Sequence, residues 1–204
     1  MAARTEPGRR AAWQCGASTV KPLTVAAQTP ETCLRLRAEL CYTSAVIGVT
    51  AVDHIYVAVT DIARAEAFYD VVMKLLGFRK GTTPIAGERH LHYFNPVTQY
   101  TIRPARPTGR AHDAYSPGLH HLCFCVGTPA EVDLLAQALR AAGVDASAPQ
   151  IYPEYAEDYY ATFFCDPDGI RLEVVAHRRL RSLIRDQWDE LTEFEDPLRK
   201  AGLL

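Results

Sequence analysis

The sequence predicts an α+β fold in which two βαβββ modules, about residues 51–106 and 118–176, form a curved, partly closed barrel. Two observations predict it. The run Asp53-His54-Ile55-Tyr56-Val57-Ala58-Val59 returns as His120-His121-Leu122-Cys123-Phe124-Cys125-Val126, so one alternating strand pattern is written twice. Each copy is followed by a capped helical pattern and then by strand patterns joined through a turn, so the order of elements repeats as well.

Residues 1–48 are rich in Ala, Thr and Arg, poor in acids and without clear periodicity. They are expected to form a poorly ordered extension. An over-long start or an organellar transit peptide is an alternative, the latter disfavoured because Glu6, Pro7 and Pro22 interrupt any amphipathic helix. After the first strand Asp61 caps a helix with Ile62, Ala65, Tyr69, Val72, Met73 and Leu76 on one stripe, ended by Gly77. After the second, Thr128-Pro129-Ala130-Glu131 supplies an N-cap, a first-turn proline and a capping-box glutamate for a stripe of Val132, Leu135, Leu139 and Ala142, ended by Gly143. Strands are expected at about 89–95 and 98–104, then at 159–165 and 170–176, turned by Asn95-Pro96 and Asp166-Pro167-Asp168-Gly169. Residues 177–204 read as one last helix with Leu180, Leu183, Ile184, Trp188 and Leu191 on a stripe.

Alternation fixes direction. Ile55, Val57 and Val59 share the packing face of their strand, which leaves His54 and Tyr56 on the other. His121 occupies the matching position in the second copy. On 170–175, Leu172 and Val174 pack inward while Arg171 and Glu173 point the opposite way. An ionised carboxylate on the inner wall of a sheet needs a partner or a metal ion. Two imidazoles and a carboxylate at related positions suit one divalent ion, Fe, Mn, Zn, Ni or Co, with open positions for substrate. Taken singly, each strand histidine also reads as a hydrogen-bonded wall residue, and Glu173 as the partner of Arg171 or Arg103.

The chain carries a net charge of −2, and residues 49–204, with 16 basic and 21 acidic side chains, carry −5. A mildly acidic body without a basic stripe argues against nucleic acid as a partner. Six cysteines without C-x-x-C spacing favour reduced thiols and a cytoplasmic setting. No apolar run approaches the roughly 20 residues that span a bilayer, so no membrane partner is expected.

Asp53-His54-Ile55, Gly118-Leu119-His120-His121-Leu122-Cys123-Phe124 and Asp166-Pro167-Asp168-Gly169-Ile170-Arg171-Leu172-Glu173 together resemble the vicinal oxygen chelate (VOC) superfamily, the glyoxalase, bleomycin-resistance and extradiol dioxygenase-like proteins. The resemblance implies one divalent ion held by His54, His121 and Glu173, a small-molecule substrate that chelates it through vicinal oxygens, and the option of a homodimer. Glyoxalase I proper uses a fourth protein ligand, and aligning the two turns places Ile102, not a carboxylate, opposite Glu173. Extradiol dioxygenases carry a tyrosine where Phe163 stands here. Fosfomycin thiol transferases have a threonine at the position of Tyr56, and bleomycin-binding members lack the ligands.

The expected cup lining comprises Tyr56, Arg103, Phe163 and Arg171 as substrate contacts. His92, matched to Phe163 by the repeat, joins Glu173 as a candidate to move a proton. The tyrosine-rich segment 152–160 reads as a lid or an interface loop. The reading that follows is a metal-dependent, glyoxalase-like lyase or isomerase. A binding or resistance protein without turnover and an Fe(II) dioxygenase are the alternatives.

Overall fold

Strand β1, His54–Val59, buries Val57 and Val59 and exposes His54, Tyr56 and Ala58, as its alternation requires. The computed structural model describes residues 48–106 and 112–204. The expectation for the N-terminal extension falls almost wholly on residues 1–47, outside the described residues.

Helix α1, Ile62–Leu75, starts where the Asp61 carboxylate accepts from the backbone N–H groups of Ala63 and Arg64, satisfying donors that the helix cannot. It ends at Gly77, whose φ of +79° suits a residue without a side chain. Strands β2, Arg79–Ile85, β3, Glu88–Phe94, and β4, Gln99–Pro104, complete the first module, with sheet order β1-β4-β3-β2 and β1 parallel to β4.

The second module repeats this. Strand β5, His121–Val126, leads to helix α2, Pro129–Ala141, which is capped by Thr128 and opened by Pro129. Strands β6, Gln150–Ile151, β7, Tyr160–Cys165, and β8, Arg171–Ala176, give the order β5-β8-β7-β6. Strands β2 and β6 were counted in the βαβββ pattern but not located in the sequence. Arg79–Ile85 is almost wholly exposed and so lacks an apolar alternation, and β6 is only two residues long.

The two modules meet through their helix-covered sides. Tyr69 on α1 donates to Asp166 at 2.9 Å and lies 3.2 Å from the Tyr100 hydroxyl, while Phe68 packs on Phe164 and Phe78 on Phe124. Asp168 in the β7–β8 turn accepts from the Thr60 backbone N–H at 2.7 Å and from Arg64 at 2.7 Å. One apolar core therefore runs through both modules, from Val57 and Met73 to Leu139 and Leu172. The two sheets remain separate four-stranded units and do not close into a barrel within the chain.

The C-terminal segment departs from the single helix expected. Helix α3, Arg179–Asp186, stops early, a 3-10 turn follows at Trp188–Glu190, and a short helix α4 occupies Pro197–Lys200. No residue of these three elements is fully buried and Trp188 is exposed, so packing does not favour extending the stripe. No helix among the described residues is long and apolar enough to cross a membrane.

Candidate metal and substrate site on the open sheet faces

Glu173 is the most constrained member of the site. It lies on β8 beside Cys123 of β5 and opposite Phe163 of β7, is 2% exposed, and points away from the core that Leu172 and Val174 join. Burial of a carboxylate is sustained by two neighbours. The Tyr159 hydroxyl donates to Oε1 at 2.6 Å, and Nε2 of His121 stands 3.3 Å from Oε2. The other ring nitrogen of His121, Nδ1, is 2.6 Å from Nδ1 of His120.

His54 is arranged in the same manner on the other sheet. Its Nδ1 meets the Asp53 carboxylate at 2.7 Å, which orients the ring and leaves Nε2 free. Yet His54 is not beside His121 and Glu173. The helix-covered faces of the two sheets point towards each other, so their open faces point apart. Among the described residues no three His, Cys, Asp or Glu side chains converge on one point. The expectation that a single chain brings all three ligands together is corrected here: it brings together two.

Those two fit a divalent ion. Two ligand atoms about 2.1 Å from one ion stand roughly 3.0–3.4 Å apart at octahedral to tetrahedral angles. The observed 3.3 Å between His121 and Glu173 falls in that interval. A carboxylate buried with one oxygen already hydrogen-bonded and the other turned to an imidazole is the donor set such an ion takes.

A cavity of about 520 Å³ opens over this pair. Phe163 and Tyr155 form its apolar wall, His120 and Glu154 its rim, and Arg171 and Arg178 enter from β8 and from the residue that precedes α3. Arg171 rests its guanidinium 4.3 Å from the centre of the Phe163 ring, and Arg178 lies 5.0 Å from that of Tyr159. Cys123 shares this sheet face; loss of solvation, reinforced by the Glu173 charge, pushes its thiol up to about 12 and keeps it protonated. Burial raises the Tyr159 phenol as well, with the hydrogen bond to Glu173 acting in the same direction, so it keeps its proton and donates that hydrogen bond throughout the neutral range.

The remaining expected site residues sit on the open face of the first sheet. Tyr56 is 47% exposed and edge-on to His54 and His90. His92 holds Nδ1 3.0 Å from the hydroxyl of the fully buried Thr101, and its ring stacks on His90. Partial burial, then the His90 charge, lowers its pKa, so it is neutral at neutral pH. Arg103 is ion-paired to Glu88. Pairing of β1 with β4 sets Thr101 beside Tyr56, and β3–β4 sets it opposite His92; Glu173 stands in the same relation to Cys123 and Phe163. Thr101, not Ile102, is therefore the counterpart of Glu173. The turn before β4 spans residues 95–98 and that before β8 spans 166–170, and the one-residue difference displaced the alignment.

Sequence reasoning did not single out Tyr159 as the partner of Glu173, nor Arg178 or His120. The tyrosine-rich segment was the available signal for Tyr159. Nothing in the local pattern marks Arg178.

Two four-stranded βαβββ sheets with imidazole and carboxylate donors on their open faces define a class, and the family comparison agrees. Residues 51–174 match the family model described as the Glyoxalase/Bleomycin resistance protein/Dioxygenase superfamily, and the chain belongs to that family. Among solved structures it is similar to a glyoxylase/bleomycin resistance protein/dioxygenase domain from Frankia sp. EAN1pec, with 23% identity, a TM-score of 0.55, and coverage of 64% of this chain and 100% of that one. It is also similar to a candidate glyoxalase from Bacillus halodurans, with 22% identity, a TM-score of 0.52, and coverage of 63% and 96%. At these identities the likeness establishes the fold. No curated protein sequence matches the chain.

Proposed function

We propose that the protein is a metal-dependent lyase or isomerase acting on a small substrate with vicinal oxygens, and that its ion is held by His121 and Glu173 of one chain and His54 of a second copy. The observation that carries this reading is the matched preparation of the three donors. His54 has Nδ1 tied to Asp53 and Nε2 free, and His121 has Nδ1 tied to His120 while its Nε2 faces the Glu173 oxygen that Tyr159 does not engage. Strands β1 and β5, which bear the two histidines, are the outer strands of their sheets. An unpaired strand edge is a template for another chain, and joining β1 of one copy to β5 of another sets the two open faces side by side around one cup.

A bound divalent ion would supply Lewis-acid stabilisation of charge developing on substrate oxygen. The chain's own residues do the rest. Tyr159 fixes the Glu173 carboxylate in one rotamer. Phe163 and Tyr155 line the cavity with aromatic surface. His92, neutral and engaged at Nδ1 by Thr101, presents Nε2 at the open face, where it can take or return a substrate proton.

The test is elemental analysis of untagged protein prepared without added metal, beside His54→Ala and Glu173→Ala. About one transition-metal ion per chain is expected, lost in both variants. Undiminished metal content in either variant refutes the assignment.

A further inference from the structure

Several guanidiniums on this molecule have a fixed partner even where they are exposed. Arg64 is held by Asp168, Arg89 by Glu66, Arg103 by Glu88, and Arg140 by the carbonyls of Ala146 and Ser147. Arg171 and Arg178 differ. Both are partly buried and both line the cavity over Glu173, yet among the described residues neither donates a side-chain hydrogen bond or forms an ion pair. A guanidinium carries five N–H donors, and leaving them idle in a partly dehydrated site is costly.

What holds these two side chains in place is aromatic. The guanidinium of Arg171 lies over the Phe163 ring, and that of Arg178 over the Tyr159 ring. A cation seated on a ring face keeps its position while its hydrogen-bonding edge stays free. The two rings also fix where the guanidiniums stand. Phe163 is directly opposite Glu173 across β7 and β8, and Tyr159 donates to Glu173. The two cations therefore flank the carboxylate. An anionic ligand in the cavity would supply the partner that both guanidiniums lack.

We propose that Arg171 and Arg178 form an anion subsite, and that the substrate carries an oxyanion group, a carboxylate or a phosphoryl or phosphonyl group, beside its metal-chelating oxygens. The planar fork of Arg171 binds one edge of that group through two N–H donors, and Arg178 closes on it from the Tyr159 side. The proposal deepens the functional reading above and rests on it for the word substrate. The subsite itself belongs to β8, β7 and the residue before α3, and exists without the ion.

Its test is therefore made on the full chain stripped of metal with a chelator and dialysed, titrated calorimetrically with malonate in one arm and methylphosphonate in the other. Saturable binding of at least one probe is expected, weakened about tenfold or more in Arg171→Gln and in Arg178→Gln. Arg171→Lys, which keeps the charge but loses the fork, should fall between wild type and Arg171→Gln. Arg199→Gln, which removes an equal charge in α4, should bind as wild type. The probe that binds tells a carboxylate from a phosphoryl group. Failure of both probes to saturate wild-type protein overturns the proposal, as does equal binding by wild type and both glutamine variants with native circular dichroism. Metal content measured on the same preparations before stripping reports separately on the ion site, so each reading fails by its own measurement.

Discussion

If the ion site is shared between two copies, two defective chains can restore it. His54→Ala removes the ligand on the first sheet and Glu173→Ala the ligand on the second, and neither residue belongs to the core that joins the modules. Each variant alone would lack every intact site. Co-refolded in equal amounts, they pair at random, so about half of the dimers contain one chain of each kind. In such a dimer one cup combines both defects, and the other combines the intact His54 of one chain with the intact His121 and Glu173 of its partner. Total metal in the mixture should return to about one quarter of the wild-type value, and the isolated mixed dimer should hold about one half. The assay is elemental analysis of the mixed dimer, isolated through different affinity tags that are then removed. A mixed dimer with no more metal than its parents refutes a shared site, because ligands drawn from a single chain leave no intact set in the mixture.

Other expectations follow from the same contacts. Tyr159→Phe removes the hydroxyl that positions Glu173 without changing the ring under Arg178, so metal affinity should fall about tenfold while the melting temperature holds; competition with a chromophoric chelator measures it. Asp166 accepts from Tyr69 and from the backbone N–H groups of Asp168 and Ile170, so Asp166→Ala leaves buried donors idle and should cost about 3 kcal/mol in urea unfolding. Glu66 is held below its usual carboxylate range by hydrogen bonds from Arg89, then from Lys80. A depressed carboxylate contributes stability that is present above its unfolded pKa, about 4.3, and lost as pH falls through the lower folded value. Glu66→Gln should therefore be about 1 kcal/mol less stable than wild type at pH 7, discounted for its surface position, and equal to it near pH 2. A difference that persisted at acid pH would assign the effect to packing.

The faces of β1 and β8 were legible residue by residue. Val57, Val59, Leu172 and Val174 entered the core, and His54, His121 and Glu173 took the open faces, because side-chain direction in a strand depends only on parity along the chain. The caps at Asp61 and Thr128 were equally legible, since a helix start is settled within four residues. Thr101 was misplaced by one because the alignment ignored the length of the preceding turn. The strands β2 and β6, counted in the βαβββ pattern, were not located because an exposed strand and a two-residue strand leave no hydrophobic period to read.

The sequence by itself thus determined the modules, their duplication, and which face of its own sheet each chemical group occupies. The tertiary structure alone decided which sheets share a face. That choice rests on contacts between residues about a hundred positions apart, Tyr69 with Asp166, Phe68 with Phe164 and Arg64 with Asp168, which no local periodicity encodes. Those contacts seal the helix-covered faces together and turn the two donor-bearing faces apart. His121 and Glu173 stay adjacent because β5 and β8 are hydrogen-bonded neighbours, and His54 is set on the opposite side of the same chain.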